Sequence, residues 1–251
     1  MESAEPLMVT YDGPVCRIRL NRADKLNALN LAIRDGLRRE LDRLEDDAAT
    51  RVLVLSGNGR AFSAGVDLGS FSAQPAPADA APSDALAERH EAGHWQRLLD
   101  QLERTPQVTV ASLHGHCIGG AALVAAACDL RIGADDLQVR IPELALHIPL
   151  TWAGLPRLQR EIGLPLTRDL VLTGRAMKAD EALRSGFIQR LVAGSDLDAA
   201  TNRLIDEVIA MPALPTALTR AALSALSRDQ LGSSAWADAD LLRWSMREPR
   251  S

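Results

Sequence analysis

Two short stretches could aim backbone donors at a ligand: GRAFSAGVDL at residues 59–68 and HGHCIGGAAL at residues 114–123. Each follows a short apolar run and precedes a plausible helix. Their small residues let main-chain N–H groups face outward, and the first N–H groups of a helix have no partner within it. Two such groups converging on one oxygen would hold a developing negative charge, aided by the helix dipole. A glycine after a strand also serves as a plain turn, and either stretch alone says no more than that. The alanine-rich run after Gly119 and Gly120 carries no acid or base until Asp129. No nucleophile–base–acid series is visible elsewhere. Ser63 and Cys117 read as ordinary small residues beside the turns, and His114, His116 and His147 read as structural.

The elements that must position these turns alternate. VCRIRLN (15–21) has a strand's period, and NRADKLNALN (21–30) is a polar turn entering a helix. In that helix, residues 31–47, Leu31, Leu37, Leu41 and Leu44 fall near helical spacing. RVLVLSG (51–57) and QVTVASLHG (107–115) are strands, the first buried, and each runs into one glycine turn. Residues 72–85, rich in proline and alanine, read as a mobile surface segment, and residues 85–105 as one long amphipathic helix. Asp67 suits the cap of a following helix, and Asp129 and Arg131 the turn into the next strand. After about residue 195 strand signals vanish and three helices follow, so the chain reads as a mixed α/β core with a helical C-terminal extension.

Composition sets outer limits. A chain of 251 residues with 47% apolar residues can bury one large core. Only 3% of residues are aromatic, and the Ala and Leu content favours helix. The net charge of −5, with acids and bases mixed and no basic stripe, argues against nucleic acid as a partner. No run reaches the roughly 18 apolar residues of a membrane span, and the N-terminus has neither the basic nor the apolar region of a signal peptide. Cys16, Cys117 and Cys128 are odd in number, lie among apolar residues and have no metal-site spacing. They read as reduced core thiols of a cytoplasmic protein that binds no metal.

Taken together, NRADKLNALN, GNGRAFSAGVDL, HGHCIGGAALVAAACDLRIGADD and PELALHIP resemble the crotonase superfamily, the enoyl-CoA hydratase/isomerase family, in order and spacing across about residues 10–190. LTGRAMKADEALRSGFIQRLV (172–192) is similar to the family's segment before its terminal helices. The resemblance implies an α/β fold: a spiral of ββα units over residues 1–194, and a C-terminal helical region over 195–251 used for trimerisation. The expected assembly is a trimer or a dimer of trimers. The implied ligands are acyl-CoA thioesters, with coenzyme A arriving as part of the substrate and no separate cofactor. The two oxyanion-hole N–H groups map onto Val66 and Gly120. Coenzyme A contacts map onto Lys25, Leu26 and Ala28, and onto Ala64, Asp67 and Leu68.

One departure selects among reactions. Family hydratases hold a water between two glutamates twenty residues apart. The second maps onto Glu143; the first maps onto Leu123, which can neither orient water nor transfer a proton. Family isomerases that use one glutamate at the second position resemble this arrangement. HGHCIGG, with His90 and His94 before it, also resembles the dienoyl-CoA isomerase branch, but the further acid of that branch falls on Thr151. The apolar neighbours Ile141, Pro142, Leu144 and Leu146 predict a desolvated Glu143 carboxyl with a raised pKa, suited to a general base. Leu123 reads as a core leucine that also lines the acyl pocket, and Trp152 as a wall of that pocket or a core side chain. The leading expectation is Δ3–Δ2 enoyl-CoA isomerisation in fatty-acid metabolism. Enoyl-CoA hydration and non-catalytic acyl-CoA binding stand as alternatives. The C-terminus WADADLLRWSMREPRS lacks the usual closing run of family hydratases, so no ligand contact is assigned there.

Overall fold

The computed structural model describes residues 5–69, 82–229 and 237–245. The chain opens with a hairpin, β1 (Leu7–Asp12) and β2 (Val15–Leu20). Next come α1 (Leu31–Glu45), β3 (Val52–Gly57), α2 (Pro82–Ala92) and α3 (His94–Arg104). Two strand pairs follow, each with its helix: β4 (Val108–Leu113), β5 (His116–Ile118) and α4 (Gly120–Ala126), then β6 (Leu130–Ala134), β7 (Gln138–Arg140) and α5 (Gly154–Thr173). The last strands, β8 (Ala176–Lys178) and β9 (Arg190–Val192), flank α6 (Ala179–Ser185). Among the described residues only helices follow: α7 (Leu197–Ala210), α8 (Ala213–Asp229) and α9 (Asp238–Ser245).

The strands divide between two sheets. Six form one sheet in the order β1-β2-β3-β4-β6-β9, parallel except for the opening hairpin. Three short ones form the other, in the order β5-β7-β8. Each ββ pair therefore sends one strand to each sheet before its helix. The loop after β3 joins the same scheme, since Ser63 bridges to Cys117 of β5. Both glycine turns thus sit where a large-sheet strand hands the chain to the small sheet.

Strand period explains the two-sided core. Leu53 and Leu55 face one way, into a cluster with Ile33, Leu37, Leu41 and Leu44 of α1 and Leu98, Leu99 and Leu102 of α3. Val52 and Val54 face the other way, with Val110 and Ile132, against Leu197, Leu204 and Ile205 of α7. Cys16, Cys117 and Cys128 are free and buried, and burial holds each thiol above its ordinary pKa.

Three sequence expectations need correction. Residues 85–105 are two helices, not one, parted at Gly93. The second half buries its leucine face in the core, whereas the first half lies exposed and pairs its Arg89 with Asp240 of α9 at 2.9 Å. In α1 the buried stripe starts at Ile33, because Asn30 caps the helix by accepting the Ile33 N–H, leaving Leu31 in the first turn and 49% exposed. Of the Pro/Ala stretch 72–85, residues 82–85 open α2 and the remainder lies outside the described residues. Among the described residues no single helix is long and apolar enough to cross a membrane. Helix α8 leaves Leu214, Leu218, Leu223 and Leu226 exposed over its outward half.

Candidate active site

Asn27 organises the first glycine turn. Fully buried, it donates from Nδ2 to the carbonyls of Asn58 and Ala61, both at 2.8 Å, and accepts the Arg22 N–H at 2.9 Å. Leu26 and Asn27 take left-handed backbone, which lets the segment double back. The segment is then laced to the turn: Ala64 N–H donates to Leu26 O, Leu29 N–H to Gly65 O, and Asp67 N–H to Leu29 O, at 2.7–2.9 Å. Arg22 pins the same loops by donating to Ala28 O and pairing with Asp67 at 2.8 Å. Asp67 also accepts the Gly69 N–H; the helix it was expected to cap would begin outside the described residues.

The second turn abuts the first. A Cβ on Gly65, whose φ is +87°, would lie 2.5 Å from the Ile118 carbonyl oxygen. Gly119, also at positive φ, donates its N–H to Arg140 O at 2.8 Å. Gly120 then begins α4. Among the described residues, neither the Val66 N–H nor the Gly120 N–H has an acceptor, and both residues line one open cleft of about 660 Å³.

Glu143 reaches this cleft from the short 3-10 turn Glu143–Leu146. A Cβ on Gly119 would stand 2.6 Å from its Oε1, so the glycine makes room for the carboxyl as well as the turn. Oε2 is buried with no hydrogen-bond partner among the described residues. Desolvation pushes the Glu143 pKa up from 4.5 to about 7, opposed only in part by the residue's own N–H. The expected desolvated carboxyl is therefore present, and among the described residues lining the cleft no other is ionisable.

The other walls are apolar. Leu123 of α4 is 1% exposed, a core leucine that also lines the cleft. Trp152 lines it too, and its indole lies so close to Gly120 that a Cβ there would come within 2.3 Å of the ring. Its ring stacks on Trp95 of α3 at 4.9 Å between centroids. Trp152 and Ala153 both adopt left-handed backbone, which costs on the order of 1–3 kcal/mol per residue unless the surroundings hold it. Arg157, fully buried, donates to the Trp152 carbonyl and pairs with Asp100 and Glu103. Asp238 of α9 accepts the Ala153 N–H at 2.7 Å, and Leu242 of the same helix adds to the cleft lining.

Of the sequence candidates, the fold gathers Val66, Gly120, Glu143, Leu123, Trp152, Ala64 and Leu68 around one cleft. Lys25, exposed, and Leu26 and Ala28 lie on the adjoining loop, tied to it through Ala64 and Gly65. Thr151 lines the cleft where the dienoyl branch keeps an acid. His114 hydrogen-bonds the Gly59 carbonyl and His147 is exposed, matching their structural reading. Asp129 accepts from Thr109, and Arg131 donates to the carbonyls of Cys128 and Phe187 at the following turn. Arg157, Asp238 and Leu242 were missed. Asp238 reaches Ala153 across 85 residues and Leu242 joins the lining from the same helix, while Arg157, five residues from Trp152, is turned inward by Asp100 and Glu103; nothing in their local sequence marks them.

Comparison with known proteins agrees with this geometry. The family model described as enoyl-CoA hydratase/isomerase matches residues 10–248. A probable enoyl-CoA hydratase of Mycobacterium tuberculosis is 36% identical over 193 residues, covering 77% of this chain and 71% of that protein. The human mitochondrial Delta(3,5)-Delta(2,4)-dienoyl-CoA isomerase is 34% identical over 205 residues, covering 79% of this chain and 62% of its own length. Among solved structures, a putative enoyl-CoA hydratase of Thermobifida fusca in complex with acetoacetyl-CoA superposes with a TM-score of 0.79 at 30% identity. That match covers 96% of this chain and 93% of the other. With the motifs, the two-sheet fold and the paired glycine turns in agreement, the chain belongs to the enoyl-CoA hydratase/isomerase family, the crotonase superfamily.

Proposed function

We propose that this protein is an enoyl-CoA isomerase that moves a double bond from the Δ3 to the Δ2 position of an acyl-CoA thioester. In this reading the thioester oxygen sits between the Val66 and Gly120 N–H groups. The Glu143 carboxylate takes a proton from C2, the electron pair it leaves passes through the carbonyl carbon C1 to the oxygen to give a dienolate conjugated with C3=C4, and the proton returns at C4 as the double bond forms between C2 and C3. No atom is gained or lost, so one carboxylate suffices. Fixed N–H donors stabilise the enolate charge where it develops, and a base whose pKa is about 7 is half ionised near neutral pH. The observation that carries the reading is the pairing of Glu143 with Leu123 in a cleft where no second described lining residue is ionisable.

Lys25, Leu26, Ala28, Ala64, Asp67 and Leu68 contact coenzyme A in this account, and Leu123 and Trp152 face the acyl chain. Within residues 195–251, whose α7 and α9 also pack on the 1–194 core, the exposed leucines of α8 support a role in oligomerisation, and the assembly is a trimer or a dimer of trimers. Hydration of 2-enoyl-CoA is the second reading, favoured by several relatives that are probable enoyl-CoA hydratases; it leaves both proton transfers to Glu143. The test is a series of 2-enoyl-CoA and 3-enoyl-CoA thioesters offered to wild type and Glu143→Gln. Isomerisation lost in Glu143→Gln with acyl-CoA still bound supports the proposal. Isomerisation that survives the substitution overturns it.

A further inference from the structure

We propose that Asp238, on the C-terminal helix α9, and Arg157, on α5, are positioning residues that clamp the Trp152–Ala153 turn, so that the C-terminal helix sets which acyl chains the cleft admits. The inference rests on the reading of this cleft as the acyl site.

The turn is an unlikely place to find order without help, since two successive residues other than glycine hold φ values of +61° and +54°. Both polar groups of the peptide bond that joins them are held by side chains. The Trp152 carbonyl accepts from Arg157, and the Ala153 N–H donates to Asp238. Arg157 cannot swing away, because its remaining donors are engaged by Asp100 and Glu103 at 2.6–3.1 Å, on the same helix that carries Trp95. Asp238 is 8% exposed, and its Ala153 bond spans 85 residues of chain. The helices α3 and α9, distant in sequence, thus join α5 in holding the Trp152–Ala153 turn.

The consequence falls on the cleft. Gly120 leaves no spare room beside the indole, so the angle of the turn decides how much space adjoins the Gly120 N–H. Helix α9 acts twice here, through Asp238 on the turn and through Leu242 in the lining. Loss of the Asp238 acceptor frees a strained turn to relax, moves the Trp152 ring off Trp95, and reshapes the wall that an acyl chain meets.

The Trp95–Trp152 stack supplies a readout independent of catalysis. Two indoles this close couple their transitions, giving a near-ultraviolet circular dichroism couplet that Trp95→Phe identifies by removing it. Asp238→Ala is expected to abolish most of that couplet and to change the ratio of kcat/KM values for long and short 3-enoyl-CoA by about tenfold, the scale of one lost buried hydrogen bond. Asp238→Asn, which keeps an acceptor oxygen for the Ala153 N–H, is expected to retain both. A folded Asp238→Ala with its couplet intact overturns the clamp. A lost couplet with an unchanged chain-length ratio overturns the control of acyl preference. Failure of the wild type to bind any acyl-CoA defeats the functional reading instead, and the couplet still decides the clamp. If Asp238→Ala does not fold, the double variant Asp238→Ala/Ala153→Gly is measured, because glycine holds left-handed backbone without strain. Recovery of fold and couplet supports the clamp; their absence overturns it.

Discussion

Glu143→Gln should stabilise the protein in a pH-dependent way while removing its activity. Burial raises the Glu143 pKa from 4.5 to about 7 in the folded chain. At about 1.4 kcal/mol per pKa unit, ionising this group costs the folded state about 3 kcal/mol more than the unfolded state. Below the unfolded pKa both states are protonated and no stability is lost. As pH rises, the unfolded chain ionises first and stability falls, until the folded group ionises near pH 7 and the loss levels off. Glutamine cannot ionise, so the variant escapes this loss. Its stability relative to wild type is expected to increase by about 3 kcal/mol between pH 4 and pH 8.5. Urea unfolding of both chains across that range measures the change. Any fixed cost of placing an amide beside the partnerless Oε2 site drops out, as do other groups that titrate alike in both chains. A stability gap that stays flat with pH would refute the claim that Glu143 is desolvated.

Other substitutions probe the walls of the cleft. Gly119→Ala places a methyl at positive φ, 2.6 Å from Oε1 of Glu143. It should push the carboxyl toward solvent, lower its pKa toward the ordinary range and depress kcat, all visible in a pH–rate profile. Leu123→Ala removes a side chain that is 1% exposed and should cost about 3 kcal/mol in urea unfolding, with little change in the pH–rate midpoint. Leu218→Asp, on the outward half of α8, should convert an oligomer to monomers in analytical ultracentrifugation without unfolding them. An unchanged sedimentation coefficient would remove α8 from the interface.

The elements that carry the site were legible because each has a local signature. VLVLSG and VTVASL are short apolar runs ending at turns, and both became central strands of the large sheet. The glycines of both turns were readable because a positive φ or a close approach demands them, as at Gly65 and Gly119. The raised pKa of Glu143 was anticipated from its apolar sequence neighbours, but of these only Pro142 and Leu146 line its cleft and Leu144 is 46% exposed; the other apolar walls, such as Leu123 and Trp152, come from elsewhere in the chain. What stayed hidden was set by distant packing. Gly93 splits a continuous helical pattern because its two halves meet different neighbours, the core and α9. Arg157 and Asp238 look like ordinary surface charges in sequence; only the fold turns them inward onto Trp152.

The central claim is that one carboxylate, facing a leucine, shifts a double bond and does not add water. It is tested most directly by incubating wild-type protein with a 3-enoyl-CoA and, separately, with its 2-enoyl isomer, and following the conjugated thioester by ultraviolet absorbance. The account predicts that absorbance rises from the 3-enoyl substrate and holds steady with the 2-enoyl substrate beyond its return to isomerisation equilibrium. Progressive loss of absorbance from the 2-enoyl substrate, with 3-hydroxyacyl-CoA as the product, would contradict it.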